Sequence, residues 1–295
     1  MLPERLFWLA FSAFPLIGPK RFALLFEYFR DARTAWQADA GTLLKLGLRS
    51  ETVNSFVNFR NNFDLKSYFN ELKREGISFL TLADSDYPAN LKEIDDAPFL
   101  LYIKGRIKKE DEIAIGVVGS RRATTYGQQV TQSLVKDLVL KKITIISGLA
   151  FGVDTIAHQT ALDGGRTIGV WAGGLDTLVG FQKRVSEEIV RKGSAILSEF
   201  PLGFSPNKTT FPQRNRIISG LSLGILVTEA AARSGSLITA SFAASQGREV
   251  FAVPGPITSF YSAGTAFLLK QGAKLVTNVE DILEEIDKEE KNHYL

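Results

Sequence analysis

Cysteine is absent from this 295-residue sequence, which also has only two histidines and one methionine. Without thiols there is no disulfide framework, no thiolate nucleophile, no iron–sulfur cluster and no zinc finger of the usual spacing. His158 and His293 alone cannot build a histidine-rich metal centre, although carboxylates could still hold a magnesium ion. A strong charge excess is lacking too. Thirty-five Lys and Arg against 32 Asp and Glu leave a net charge of +3, so any polyanion site must come from cations gathered locally. Nor is there a long hydrophobic run. Leu6 to Ile17 is broken by Pro15, leads into Gly18-Pro19-Lys20-Arg21 rather than a cleavage site, and is too short to span a bilayer. It reads as a buried helix, and the chain as a cytoplasmic protein with no membrane partner.

What is present is an ordinary globular composition, 45% hydrophobic and 23% charged, in a chain long enough for one large domain and one small one. Residues 1–70 read as a helical domain. Leu6, Leu9, Ala10 and Ala13 recur at helical spacing, and a second amphipathic run covers Phe22 to Phe29. Leu43 to Gly47 and Val53 to Phe59 suggest a second hairpin of the same kind. The turn Leu16-Ile17-Gly18-Pro19-Lys20 has half the character of a helix-hairpin-helix (SAM-like) unit. Its glycine would let backbone approach a phosphate, but a plain packing role fits as well.

From Ile77 the pattern changes. Apolar β-branched runs at 77–82, 99–103, 113–118, 143–147, 167–171, 195–197, 223–228 and 250–253 alternate with helical stretches at 126–140, 152–163, 183–192, 213–220 and 234–246. Continuous apolar strands alternating with helices predict an α/β, Rossmann-like, doubly wound and mainly parallel sheet over residues 71–286. Its ligands are expected at the carboxyl ends of the strands. Residues 287–295 form a short charged tail.

Four segments carry chemistry, three of them at predicted strand ends and one at the opening of a helix. Gly119-Ser120-Arg121-Arg122 offers backbone N–H groups, a hydroxyl and guanidinium groups at one point. That suits a phosphate, or equally a tight turn with solvated arginines. It is neither a dinucleotide fingerprint nor a Walker loop. Ser147-Gly148-Leu149-Ala150-Phe151-Gly152-Val153-Asp154 repeats the logic, and Asp154 and His158 share one helix face. With no nucleophile nearby in sequence, a local structural bond is the simpler reading of that pair. Arg214-Asn215-Arg216 places two arginines that cannot face the same way, so one is expected to meet ligand while the other ties the loop internally. Ser234-Gly235-Ser236, after Glu229, opens a helix whose N-terminus can take an anion. Several such turns on one rim suit a polyanion or a nucleotide.

The order of these motifs, together with Asp86-Tyr87-Pro88 upstream and Gly247-Arg248 to Pro254-Gly255 downstream, closely resembles the DprA (Smf) family of DNA-processing proteins across residues 75 to 280. The resemblance implies a non-enzymatic protein, without cofactor or metal, that binds and protects single-stranded DNA. It further implies loading of RecA recombinase in natural transformation and recombination, and a homodimer as the working form. Carried over by motif, Gly119, Ser120 and Arg121 would bind phosphate, with Gly148, Arg214, Asn215, Arg216, Ser234, Gly235 and Ser236 along the same groove. Thr177 to Arg184 departs from the family's Tyr-Pro segment, so Lys183 and Arg184 are assigned as contacts by position only. Gly264-Thr265-Ala266 lacks the family's asparagine, and no winged-helix module of the kind many relatives carry at the C-terminus is expected here. Phe151, Phe181, Phe204 and Phe211 are candidates for base stacking. The competing reading is a Rossmann-like hydrolase of nucleotide-derived small molecules using Glu229. The Pro-Gly-Gly-x-Gly-Thr pattern of such phosphoribohydrolases is absent.

Overall fold

A computed structural model describes residues 3–293, with side chains through Ile286. The expected charged tail, 287–295, therefore lies outside the described side chains.

Six helices come first: α1 (Arg5–Ser12), α2 (Pro19–Phe29), α3 (Ala32–Gln37), α4 (Ala40–Lys45), α5 (Ser50–Asn62) and α6 (Leu65–Arg74). Helix α1 is apolar all round, and Leu6 through Ser12 are all buried, as a helix of that pattern requires. Phe11 packs flat on Phe56 at 5.4 Å and edge-on to Trp36 at 5.1 Å, which centres the helical core on aromatic rings. Two elements differ from expectation. Helix α3 is a short element that buries only Ala32, Ala35 and Trp36, and its start is set by Asp31, whose carboxylate caps the N–H groups of Arg33 and Thr34. Helix α6 runs past residue 70 to Arg74, so the helical front ends a turn later than its composition suggests.

The remainder alternates: β1 (Ile77–Thr81), α7 (Ala89–Lys92), β2 (Leu100–Gly105), β3 (Ala114–Val118), α8 (Thr125–Leu140), β4 (Thr144–Gly148), α9 (Val153–Ala161), β5 (Thr167–Val170), α10 (Gly180–Arg191), β6 (Ala195–Ser198), α11 (Thr210–Gly220), β7 (Gly224–Val227), α12 (Gly235–Ser245), β8 (Glu249–Ala252), α13 (Ala263–Lys270), β9 (Lys274–Leu275) and α14 (Glu280–His293). The strands form one sheet in the order β1-β2-β6-β5-β4-β3-β7-β8-β9. From β6 to β9 all pairs are parallel, while β1–β2 and β2–β6 are antiparallel. This is the predicted α/β doubly wound fold. The two-residue β9 is too short to leave a pattern in the sequence.

Strands β3, β4, β5, β6 and β7 are buried along their whole length because helices cover both faces. Helices α7, α11, α12 and α13 pack on one side, and α8, α9 and α14 on the other. Chain order reverses at β3, with β4 on one side and β7 on the other, so the topological switch point lies between β3 and β7.

The helical front shares a core with the sheet rather than resting on it. Phe22 stacks on Phe99 at 4.1 Å, and one cluster of buried side chains runs from Leu6 to Ile196. A buried polar chain reinforces the join: the hydroxyls of Ser12 and Tyr102 meet at 2.6 Å, and Tyr68 donates to Tyr102 at 3.1 Å. Tyr102→Phe removes the central hydroxyl and takes away the acceptor of the Tyr68 O–H, while Ser12 keeps the Leu9 carbonyl. It should cost about 1–2 kcal/mol of stability in urea unfolding; an unchanged midpoint would mean this chain carries no part of the join.

Candidate nucleic-acid interface

At the switch point the carboxyl ends of β3, β4 and β7 and the start of α11 enclose a groove of about 550 Å³. Its β3 wall is Gly119, Ser120 and Arg121. A Cβ on Gly119 would press into Val153 at 2.6 Å and the Glu229 carbonyl at 2.8 Å, so glycine is needed for the three strand ends to approach. The Ser120 N–H donates to the Glu229 carbonyl at 2.7 Å, and the Ser120 carbonyl accepts from Val153 at 3.1 Å. Arg121 emerges from this braced turn as an exposed side chain, its guanidinium 5.6 Å from the centre of the Phe211 ring.

Arg214 forms the floor. It is only 5% exposed and donates from Nη1 to the Val170 carbonyl at 2.9 Å. Gly148 makes room for it, since a Cβ there would overlap the Arg214 guanidinium and crowd Asp154. Gly148 is thus spent on holding Arg214, not on approaching a ligand directly. Burial lowers the pKa of Arg214 and raises that of Asp154, and each charge opposes the shift of the other.

The β7 side carries Arg233, Ser234, Gly235 and Ser236 at the N-terminus of α12. Ser234 caps the helix by accepting from Ser236 N–H at 3.3 Å, and its hydroxyl lies 2.7 Å from that of Ser236. Asn215 reaches across to the Gly235 carbonyl at 3.4 Å. Lys208, ahead of α11, completes the lining. Arg121, Lys208 and Arg233 are exposed and Arg214 lies beneath them, so four cations face one buried carboxylate. That is an anion-binding surface by charge and by available donors.

Several sequence expectations change here. Arg216 does not face the groove. It is buried on the other side of α11, with Nε 3.2 Å from Asp96 and Nη2 2.5 Å from Glu199. Lys183 and Arg184 are exposed on α10 and do not line the groove, although Phe181 of that helix stacks on Phe151 at 4.6 Å beyond the β4 end. Lys208 and Arg233 were not among the residues predicted. Arg233 is legible as the cation directly ahead of Ser234-Gly235-Ser236, whereas Lys208 sits in a loop with no motif.

Glu229 is 3% exposed and turns inward, where its carboxylate accepts from Thr124 N–H at 2.9 Å and from the Thr124 hydroxyl at 2.5 Å. It closes the start of α8 and is absent from the groove lining, which leaves it badly placed as a catalytic carboxylate. Asp154 and His158 are not bonded to each other. The imidazole Nε2 donates to the Gly148 carbonyl at 2.7 Å, and Nδ1 meets the Thr167 hydroxyl at 2.6 Å. Among the described residues no group of acidic or histidine side chains is arranged to hold a metal ion, and no helix is long and apolar enough to cross a membrane.

The chain and its fold match known proteins. The family model for DNA recombination-mediator protein A covers residues 78–287. Protein Smf of Escherichia coli is 40% identical over 250 residues, 84% of this chain and 67% of its own length. The DNA processing protein DprA of Bacillus subtilis is 43% identical over 216 residues, 72% of this chain and 73% of its own. The crystal structure of DprA from Streptococcus pneumoniae superposes with a TM-score of 0.80 at 35% identity, covering 95% of this chain and 97% of that one. DprA of Helicobacter pylori, described for its single-stranded DNA binding mode, gives 0.64 at 31% identity over 72% of this chain and 96% of that one. This chain belongs to the DprA/Smf family of DNA recombination-mediator proteins.

Burial lowers the pKa of His158 from an ordinary 6.5 to about 4, so the folded protein holds it neutral. Between pH 6.5 and 4 the unfolded chain takes up a proton that the folded chain does not. Stability therefore falls with pH across that window, by up to about 3 kcal/mol, and this contribution is flat below it. Urea unfolding at pH 7 and pH 4.5 checks this. The His158→Gln variant should lose distinctly less over the same interval, and parallel losses would remove His158 as the cause.

Proposed function

We propose that the chain binds single-stranded DNA in the switch-point groove and delivers it to RecA recombinase, serving recombination and DNA uptake as a homodimer without catalysing a reaction. The observation that carries the reading is the convergence of Arg121, Lys208 and Arg233 above buried Arg214, beside the serine-capped N-terminus of α12. Backbone phosphates supply the matching charge, and such contacts release counterions. Phe151, 54% exposed and backed by Phe181, offers a face on which a base can stack next to that path. The named binding mode of the Helicobacter pylori relative and the family's description as recombination mediators support the choice of ligand and of recombinase.

The homodimer is proposed at the open β9 edge. Ile257, Phe260, Phe267 and Leu275 are all large, apolar and exposed along this end of the chain, and burying them against a second copy would remove that surface from water. Light scattering should give twice the chain mass for the wild type and a monomer for Phe267→Glu. A wild type that is monomeric at micromolar concentration would overturn the dimer.

Binding is tested by fluorescence anisotropy across a salt series, with single- and double-stranded probes. Wild type should prefer the single strand and weaken steeply with salt. Arg121→Ala and Arg233→Ala should each make the slope shallower by about 0.7, the value for one phosphate contact on a single strand. Salt-insensitive binding, or slopes unchanged in both variants, would sink the groove assignment.

A further inference from the structure

The floor of the groove holds a carboxylate as well as a guanidinium. Asp154 stands in the first turn of α9, 7% exposed, and is the only acidic residue among the described residues that line the groove. A carboxylate in a phosphate site opposes the ligand by charge, so its place there bears on affinity.

Gly148 sets the relation of the two charges. A Cβ there would overlap Arg214 Nη1 and lie 2.5 Å from Asp154 Oδ2, so both groups converge on one bare Cα. Among the described residues they do not close into an ion pair, and no other side chain bonds the Asp154 carboxylate. Nη1 of Arg214 is engaged by the Val170 carbonyl, and Nε is sealed from solvent without a partner. Nη2 is therefore the nitrogen left to meet a ligand from the groove. The carboxylate and an incoming anion approach the same guanidinium.

The charges that face Asp154 are Arg214 from α11 and Arg121 from the turn after β3, with Lys208 and Arg233 also in the groove lining. His158, on the same face of α9, is turned to the Gly148 carbonyl and to Thr167, and Glu229 is turned to Thr124. Burial holds the Asp154 carboxyl above the ordinary range for an aspartate, against the pull of Arg214 and Arg121. Lysine and arginine side chains keep their charge between about pH 5 and pH 7, so Asp154 is the lining residue whose charge can change there.

We propose that Asp154 sets the affinity of the groove by competing with phosphate for Arg214, and that taking up a proton releases the guanidinium to the strand. The inference rests on the groove being a single-stranded DNA site and adds the regulation of that site. Ionised, the carboxylate cancels part of the Arg214 charge and keeps the strand releasable. Neutral, it leaves all four cations to the phosphates. A bound strand favours the neutral carboxyl in return, so binding and protonation are linked.

The sign of one substitution separates this competition from a structural role. Anisotropy with the full chain and a thymidylate oligomer of about twenty nucleotides should show Asp154→Asn binding several-fold tighter than wild type at about pH 7. Its salt slope should match that of wild type, because no phosphate contact is gained or lost. Wild-type affinity should rise several-fold from about pH 7 to about pH 5, and the variant should change distinctly less. Weaker binding by Asp154→Asn, or the same pH dependence in both, would overturn the competition while the groove stands. Should Asp154→Asn not fold, Asp154→Ser gives the same comparison. Calorimetry in two buffers of different ionisation enthalpy reads the linkage in wild type alone. Binding at about pH 5.5 should take up a fraction of a proton, and no uptake would overturn the proposal. If wild type binds no single strand at any pH, the groove reading falls and this one with it.

Discussion

The groove depends on one buried guanidinium. Arg214 reaches from α11 under the ends of β4 and β5, lies against the bare Cα of Gly148, donates to the Val170 carbonyl and faces Asp154 in the first turn of α9. Removing a guanidinium from water is costly, and the structure offsets that cost with a carbonyl and an opposing carboxylate. Four parts of the chain are thereby locked to one another. A charge held in low dielectric projects into the groove with little screening, whereas Arg121, Lys208 and Arg233 act through solvent and salt. The fixed cation defines where an anion sits, and the exposed ones attract it.

Glu229 complements this arrangement by its absence from the surface. A carboxylate at the end of β7 would repel phosphate if it faced the groove. Instead it satisfies Thr124 at the N-terminus of α8, while its own carbonyl accepts from Ser120. The bond ties the β3 and β7 turns together and fills the N-terminus of α8 with a protein anion. The α12 N-terminus, capped only by a neutral serine, is left to an external one. Two helix ends on the same rim thus have different occupants because one has a carboxylate within reach.

The sheet was readable because buried parallel strands are continuous apolar runs, and the glycine turns could be placed at their ends for the same reason. What local pattern could not decide was the direction of individual side chains. Positions 214 and 216 must point apart on a helix, but the assignment of Arg214 to the groove depends on Gly148 and Asp154. That of Arg216 to the far side depends on Asp96 and Glu199, over a hundred and almost twenty residues away in sequence. Glu229 was ambiguous for a similar reason, since its partner Thr124 is 105 residues distant. Lys208 belongs to no motif and joins the site only because the loop before α11 returns to the rim. Gly148 looked like a ligand-approach glycine, yet the atoms it admits are those of the protein itself.

The helical front bears on the groove through a shared ridge. Tyr68 of α6 accepts from the Leu202 N–H at 3.1 Å while donating to Tyr102, so one hydroxyl links the front, β2 and the segment leaving β6. That segment runs on through Phe204 to Lys208 and the first turn of α11, the ridge that lies along the groove. Because Phe22 is stacked on Phe99 and the two regions share one core, the front is packed as part of the wall. A packed wall transmits displacement rather than absorbing it. The helical front is thus bonded to the start of the segment that carries Lys208 to a groove which the front itself does not line.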